Sequence, residues 1–283
     1  MIIQQTFTLA DFLATVESAP CDVAANEPAR KDWRRKHHFE WCGLDASAGP
    51  SPTEATVALA RNGWAAGVNL LADVPTDKDP PTPRTIRRRL KWGDCGDDVD
   101  MQRIWAGQLE AAWRRPTKAQ AHGPARVRII VDSIARGGED SKSMRWRGVA
   151  ALRLSDALAE AGYSVQVESG FTARGSDDAN NKYVLRTIVK PYEAPLDLAA
   201  LAATTALPAF FRALGHEWHL IAAPGQISSA AFYVDPLEVE FFADANDAAP
   251  LILATGAINS AEIATEWVRK SIQQVESPAE AAA

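Results

Sequence analysis

Residues 126–171, RVRIIVDSIARGGEDSKSMRWRGVAALRLSDALAEAGYSVQVESGF, carry the clearest structural signal in the chain. RVRIIV is β-branched and uninterrupted, which predicts a strand buried on both faces and central in its sheet. RGVAALRLSDALAEAG repeats apolar residues at helical spacing and stops at Gly162, and YSVQVESGF alternates like a strand. Strand, helix and strand within about 45 residues make a βαβ unit, whose parallel strands need a crossover of this kind.

The same alternation continues downstream. KYVLRTIVK (182–190) predicts a strand, LDLAALAATTALPAFFRALG a helix broken near Pro208, and EWHLIAA, LEVEFF and APLILAT three further strands. SAEIATEWVRKSIQQV closes the pattern as a helix capped by Ser260. Residues 126–275 are therefore expected to form an α/β domain, a Rossmann-like sheet with helices on both faces, and residues 276–283 (ESPAEAAA) a disordered tail.

Upstream, residues 1–125 are expected to be an α-rich region packed on that core. TLADFLATVES predicts a helix with Thr8 as cap, and SPTEATVALARNGWAAGVNLL a second, with Ser51 capping, Pro52 in the first turn and Glu54 three residues on. Leu59, Gly63, Trp64 and Gly67 suggest close packing at its far end. DVPTDKDPPTP is a proline-rich connection, and VDMQRIWAGQLEAAW reads as a third helix.

Composition bounds the function. Of 283 residues 47% are hydrophobic, enough for a sizeable core, yet no apolar run approaches the roughly 18 residues of a membrane span. The opening MIIQQTFTLADF lacks the charge and apolar stretch of a secretion signal, and Cys21, Cys42 and Cys95 are far apart. A cytoplasmic protein with reduced thiols is expected. Net charge is −6, but residues 193–283 hold 3 Lys or Arg against 12 Asp or Glu, while residues 1–192 hold 27 against 24. Two basic clusters, RKDWRRKHH with Arg34, Arg35 and Lys36, and RTIRRRLKW with Arg87, Arg88 and Arg89, are candidate contacts for nucleic acid or for an acidic protein partner. The negative total favours the protein partner or a second copy of the chain.

The stretch IIVDS through SKSMRWRGVAALRLSDALAEAGYSVQVESGF resembles a von Willebrand factor A-type domain of the microbial, intracellular kind. In that family the first strand ends in Asp-x-Ser-x-Ser, whose oxygens hold a divalent cation. The resemblance implies that Asp132 is the family aspartate and that Ser141 and Ser143 are its serines, with SIARGGED (133–140) inserted between them and Asp140 as a substitute ligand for Mg2+ or Mn2+. The later aspartate is missing from WHLIAAPGQ, and Thr172, Thr204 and Thr205 are the counterparts on offer for the family threonine. The site is expected to be vestigial, with Ser143 or Asp140 capping the following helix. The whole chain also resembles a group of uncharacterised bacteriophage and plasmid proteins, through ARNGWAAGV (60–68), WGDCGDDVDMQRIWAG (92–107) and APLDLAALAATTALPAFFRALG (194–215). That likeness implies a host-cell cytoplasmic or virion-associated protein without an assigned reaction.

Other constellations are weaker. His216 and His219 face opposite sides if HEWHL is a strand, and WGDCGDDVD lacks the distal glutamate of a calcium loop and reads as a turn or helix start. GFTARGS spaces its glycines too widely for a dinucleotide loop. The expected function is a non-enzymatic interaction or structural protein that associates with a partner or with itself. The alternative is a metal-dependent hydrolase or nuclease using Asp132 and Asp140.

Overall fold

Alternate residues of the strand at 126–132 enter two different cores, and this sets the layering of the molecule. The computed structural model describes residues 2–18, 39–45, 51–76, 80, 90–96, 98–116, 125–134, 139–174, 182–215, 217–218, 242 and 249–276. In chain order the elements are β1 (Ile2–Thr8), α1 (Leu9–Ser18), α2 (Pro52–Asn62), α3 (Ala65–Val68), β2 (Leu90–Gly93), β3 (Asp98–Val99), α4 (Met101–Trp105), β4 (Trp113–Pro116) and β5 (Arg126–Asp132). There follow α5 (Ser141–Glu160), β6 (Ser164–Arg174), β7 (Lys182–Lys190), α6 (Leu198–Thr205), a π-helical turn at Phe210–Gly215, β8 (Leu251–Ala254) and α7 (Ala261–Glu276). They form two compact units, Met1–Pro81 with Arg126–Ala283, and Thr82–Ala125.

The larger unit is mixed α/β. Its five strands run in the order β1-β7-β6-β5-β8, and only the β6–β7 pairing is antiparallel. β5 is interior, between β6 and β8, as its apolar run requires. Val127, Ile129 and Val131 pack with Val149, Leu152 and Leu158 of α5 and Val268 and Ile272 of α7, whereas Ile130 joins Phe12, Leu13, Phe171 and Phe210 on the opposite side. Burying each such side chain contributes roughly 1.5–3 kcal/mol. Close approach of helices tightens the first layer: a Cβ on Gly148 of α5 would run into the Thr205 carbonyl of α6, so only glycine fits there.

Local signals decide the helix ends. Thr8 Oγ1 accepts the Asp11 N–H at 3.2 Å, Ser51 Oγ that of Glu54 at 3.2 Å, and Ser260 Oγ that of Ile263 at 3.3 Å, so the three expected caps form. Gly63 ends α2 at φ +86°, and its missing Cβ leaves room for Ala199, the close packing that Gly63 and Trp64 suggest.

Three expectations need correction. IIQQTFT, passed over in a region read as α-rich, is β1, paired in parallel with β7 along its whole length. Short, and with Gln4, Gln5 and Thr6 consecutive rather than alternating with apolar residues, it becomes a strand through that distant partner. The third helix shrinks to α4, because Gly107 turns the chain at φ +76° and Trp113–Pro116 pairs antiparallel with β2 and β3. Asp100 caps α4 through the Gln102 and Arg103 N–H groups, the helix start read in WGDCGDDVD, while its Trp92 and Gly93 end β2 and its Asp98 and Val99 form β3. Glu217 and Trp218, read as the start of strand EWHLIAA, are helical, and Trp218 packs edge-on against Phe171 at 5.4 Å. The remainder of EWHLIAA, His216 and His219, all of LEVEFF but Phe242, and residues 277–283 of the tail lie outside the described residues.

One polar element crosses the sheet interior. Glu168 of β6, fully buried, accepts from Nε and Nη2 of Arg128 on β5 (3.1 and 2.7 Å) and from Nε and Nη2 of Arg186 on β7 (3.0 and 2.8 Å). Paired arginine forks satisfy both carboxylate oxygens and tie three strands in one register. Removing the carboxylate takes from two buried guanidiniums the acceptor they share. We therefore expect Glu168→Leu to lower the unfolding free energy in urea by about 3–5 kcal/mol. A loss under about 1 kcal/mol would show that the triad contributes little.

Candidate functional site

β5 ends on Asp132, and the chain leaves the sheet there through Ser133 and Ile134. Ser133 prolongs the pairing with β6, its N–H donating to the Gly170 carbonyl at 2.9 Å and its hydroxyl sharing a 2.5 Å hydrogen bond with Ser169. α5 then starts at Ser141, so Asp132 closes the strand and Ser141 and Ser143 occupy the first turn, where the sequence places them. Asp140 is the N-cap by backbone conformation only. Its carboxylate makes no capping bond, which corrects the expectation that it caps the helix by its side chain, and its charge is instead felt by Arg212.

The Asp132 carboxyl is buried, with Oδ1 accepting the Ile134 N–H at 3.0 Å. Burial pushes its pKa up to about 6, against the opposing pull of the Arg147 charge and of that hydrogen bond. Arg147, on α5 and 1% exposed, is the organising group. Its Nη1 donates to the Asp132 carbonyl at 3.0 Å and to the Ile134 carbonyl, and its Nη2 donates to the Glu139 carboxylate at 2.7 Å. Arg212, in the π-helical turn, holds the other side of the loop by donating to the Glu139 carbonyl and the Trp41 carbonyl, both at 2.5 Å, with its guanidinium 4.5 Å from the Trp41 ring centre. Cys42 beside it is a neutral thiol, pushed up to about 12 by burial.

A small cleft lies alongside, lined by Ser133, Met144, Arg147, Thr204, Thr205 and Phe210, with room for about one water molecule. It brings two of the threonines offered for the family position to Ser133. Their hydroxyls donate to helix carbonyls, Thr204 to Ala200 at 2.9 Å and Thr205 to Leu201 at 2.7 Å. Thr172 is buried in β6.

These groups do not fit a divalent cation. Such an ion needs converging oxygens, six or more for calcium and near-octahedral geometry for magnesium. Here Asp140 is exposed while Asp132 is buried, and a guanidinium already stands against the strand end. Among the described residues no three His, Cys, Asp or Glu side chains are grouped to hold a metal. No described helix is long and apolar enough to cross a membrane. Arg34, Arg35, Lys36, Arg87, Arg88 and Arg89 lie outside the described residues.

Sequence reasoning missed Arg147, Glu139 and Arg212. The signal for Arg147 was present: it falls three residues after Met144 and four before Ala151, on the apolar stripe of α5, where a charged residue needs buried partners.

A raised carboxyl pKa has a definite consequence for stability. Between pH 4 and 6 the folded chain holds a proton on Asp132 that the unfolded chain has released, so this group favours folding at low pH and loses that contribution as pH rises through about 6. The penalty above pH 6 is on the order of 3 kcal/mol. We expect Asp132→Asn, which keeps an acceptor for Ile134, to be more stable than the parent at pH 7.5 and indistinguishable from it near pH 4. Urea midpoints across that range measure this, and a gain that persists at pH 4 would mean that Asp132 is ionised throughout.

Neither the curated proteins nor the solved structures contain a match to this chain. A family model described as a domain of unknown function (DUF7192) matches residues 8–235, which takes in most of the larger unit's elements and all of the smaller one. That match spans most of the length, and the chain belongs to this family.

Proposed function

We propose that the chain is a non-enzymatic interaction or assembly protein, built on a von Willebrand A-like sheet whose cation site is vestigial and encoded by a phage or plasmid. The observation that carries this reading is Arg147. Its buried guanidinium takes up the strand-end carbonyls and the Glu139 carboxylate, so a covalently attached cation does the structural work that a bound metal does in the domains this one resembles. A guanidinium cannot lower the pKa of a bound water or accept a partner's oxygen as a ligand, which speaks against metal-assisted hydrolysis and metal-bridged adhesion together.

Further support comes from what surrounds the site. Ser133, Ser169, Thr204 and Thr205 spend their hydroxyls on each other or on backbone, and Cys42 is held as the thiol. None of them is activated by a base. Recognition in this reading uses the surface, with a protein partner or a second copy in the cytoplasm of the host or on the particle.

Isothermal titration of the full chain with Mg2+ or Mn2+ should give no binding heat at millimolar cation. Tight binding that Asp132→Ala abolishes, together with cation-dependent cleavage of a phosphodiester probe, would replace this reading with the hydrolase or nuclease alternative.

A further inference from the structure

The small unit, Thr82–Ala125, turns its apolar side chains outward. Met101, Trp105 and Leu109 stand four residues apart through α4 and the turn after it, and they are 48%, 78% and 60% exposed. Among the described residues of this unit Ala112 is the single buried hydrophobic. Described residues that bury so little are suited to hiding apolar surface against a partner, and a tryptophan open to water is the residue type that most often anchors an interface.

The chemistry of the unit indicates what that partner presents. Its sequence has nine Lys or Arg against five Asp or Glu, a net of +4, which leaves 21 against 31, or −10, for the rest of the chain. Nucleic acid could supply anions, but Arg103 and Arg114 are already committed. Both stack on Trp92, at 3.9 and 4.4 Å from the ring centre, and both face Asp100 at 3.8 and 4.0 Å, with Arg114 also 3.9 Å from Asp98. The neighbours of Trp105 in the exposed row are the aliphatic Met101 and Leu109 rather than free guanidiniums. That composition suits a protein surface.

We infer that Met101, Trp105 and Leu109 form a docking surface for the acidic remainder of a second copy of this chain. The inference rests on the interaction reading above and names the partner for it. The contact joins two different surfaces, so it is heterologous and propagates into rings or open chains rather than closing as a two-fold dimer. Apolar anchoring sets how tightly the copies hold, and the opposed charges set orientation and salt dependence.

Sedimentation velocity of the full chain over a range of protein concentrations, from about 0.05 to about 1 M salt, tests this. Concentration-dependent self-association that weakens as salt rises, and weakens about tenfold or more in both Trp105→Ala and Leu109→Asp, supports it. Circular dichroism and thermal melting of both variants should match the parent, since neither side chain is packed. A monomer at every concentration overturns the inference, as does an oligomer that both variants leave intact. Quenching of tryptophan fluorescence by a short oligothymidylate, lost in Trp105→Ala without any self-association, also overturns it and assigns the surface to nucleic acid. The cation titration reads the other claim separately: bound metal with intact self-association defeats the vestigial site alone, and silent titration with a monomer defeats the docking alone.

Discussion

Burying β5 on both faces is the constraint from which the rest of the larger unit follows. A strand whose Val127, Ile129 and Val131 meet one core and whose Ile130 meets another must carry helices on both sides. Its polar residues then have no water to fall back on. Arg128 is satisfied by Glu168, and Asp132 by the Ile134 N–H and the nearby Arg147 charge. An unpaired charge at either position would cost several kcal/mol, about as much as the whole stability margin of an ordinary domain. The buried triad and the arginine at the strand end are therefore both answers to one problem.

The features legible in the sequence are those whose cause is local. The β5 run, the helix after it, and the caps at Thr8, Ser51 and Ser260 could be read because a few adjacent residues determine them. β1 could not, since its pairing with β7 spans most of the chain and its own pattern is weak. The small three-stranded sheet escaped for a related reason. Met101, Trp105 and Leu109 have helical spacing, but they are exposed, so periodicity that normally reports burial reports an exposed row instead. Sequence also placed Asp132, Ser141 and Ser143 at the ends of their elements, while the groups that fill the site, Arg147, Glu139 and Arg212, converge from separate segments that only the fold brings together.

A built-in guanidinium and a bound metal let a strand end do different things. A divalent cation can be lost, exchanged or shared with a partner's carboxylate, and each of these makes binding adjustable. Arg147 can do none of them, being held at its backbone and by donors to two carbonyls and one carboxylate. What remains is rigidity: the loop carrying Glu139 is pinned to β5 on one side by Arg147 and to Trp41 and the π-helical turn on the other by Arg212. The strand end thereby becomes a structural joint.

The two units use their charged and apolar groups differently. Near the strand end of the larger unit Asp132 and Arg147 are buried and hydrogen-bonded, and groups so satisfied have little left to offer a ligand. The smaller unit has the opposite character, with stacked arginines and acidic partners holding a minimal sheet together while its large apolar residues face water. Interfaces draw their energy from a few exposed anchors of this type more than from total area. A chain that pins the end of its central strand with a buried arginine and exposes a tryptophan on a separate unit keeps its charged groups satisfied in one place and apolar surface open in another.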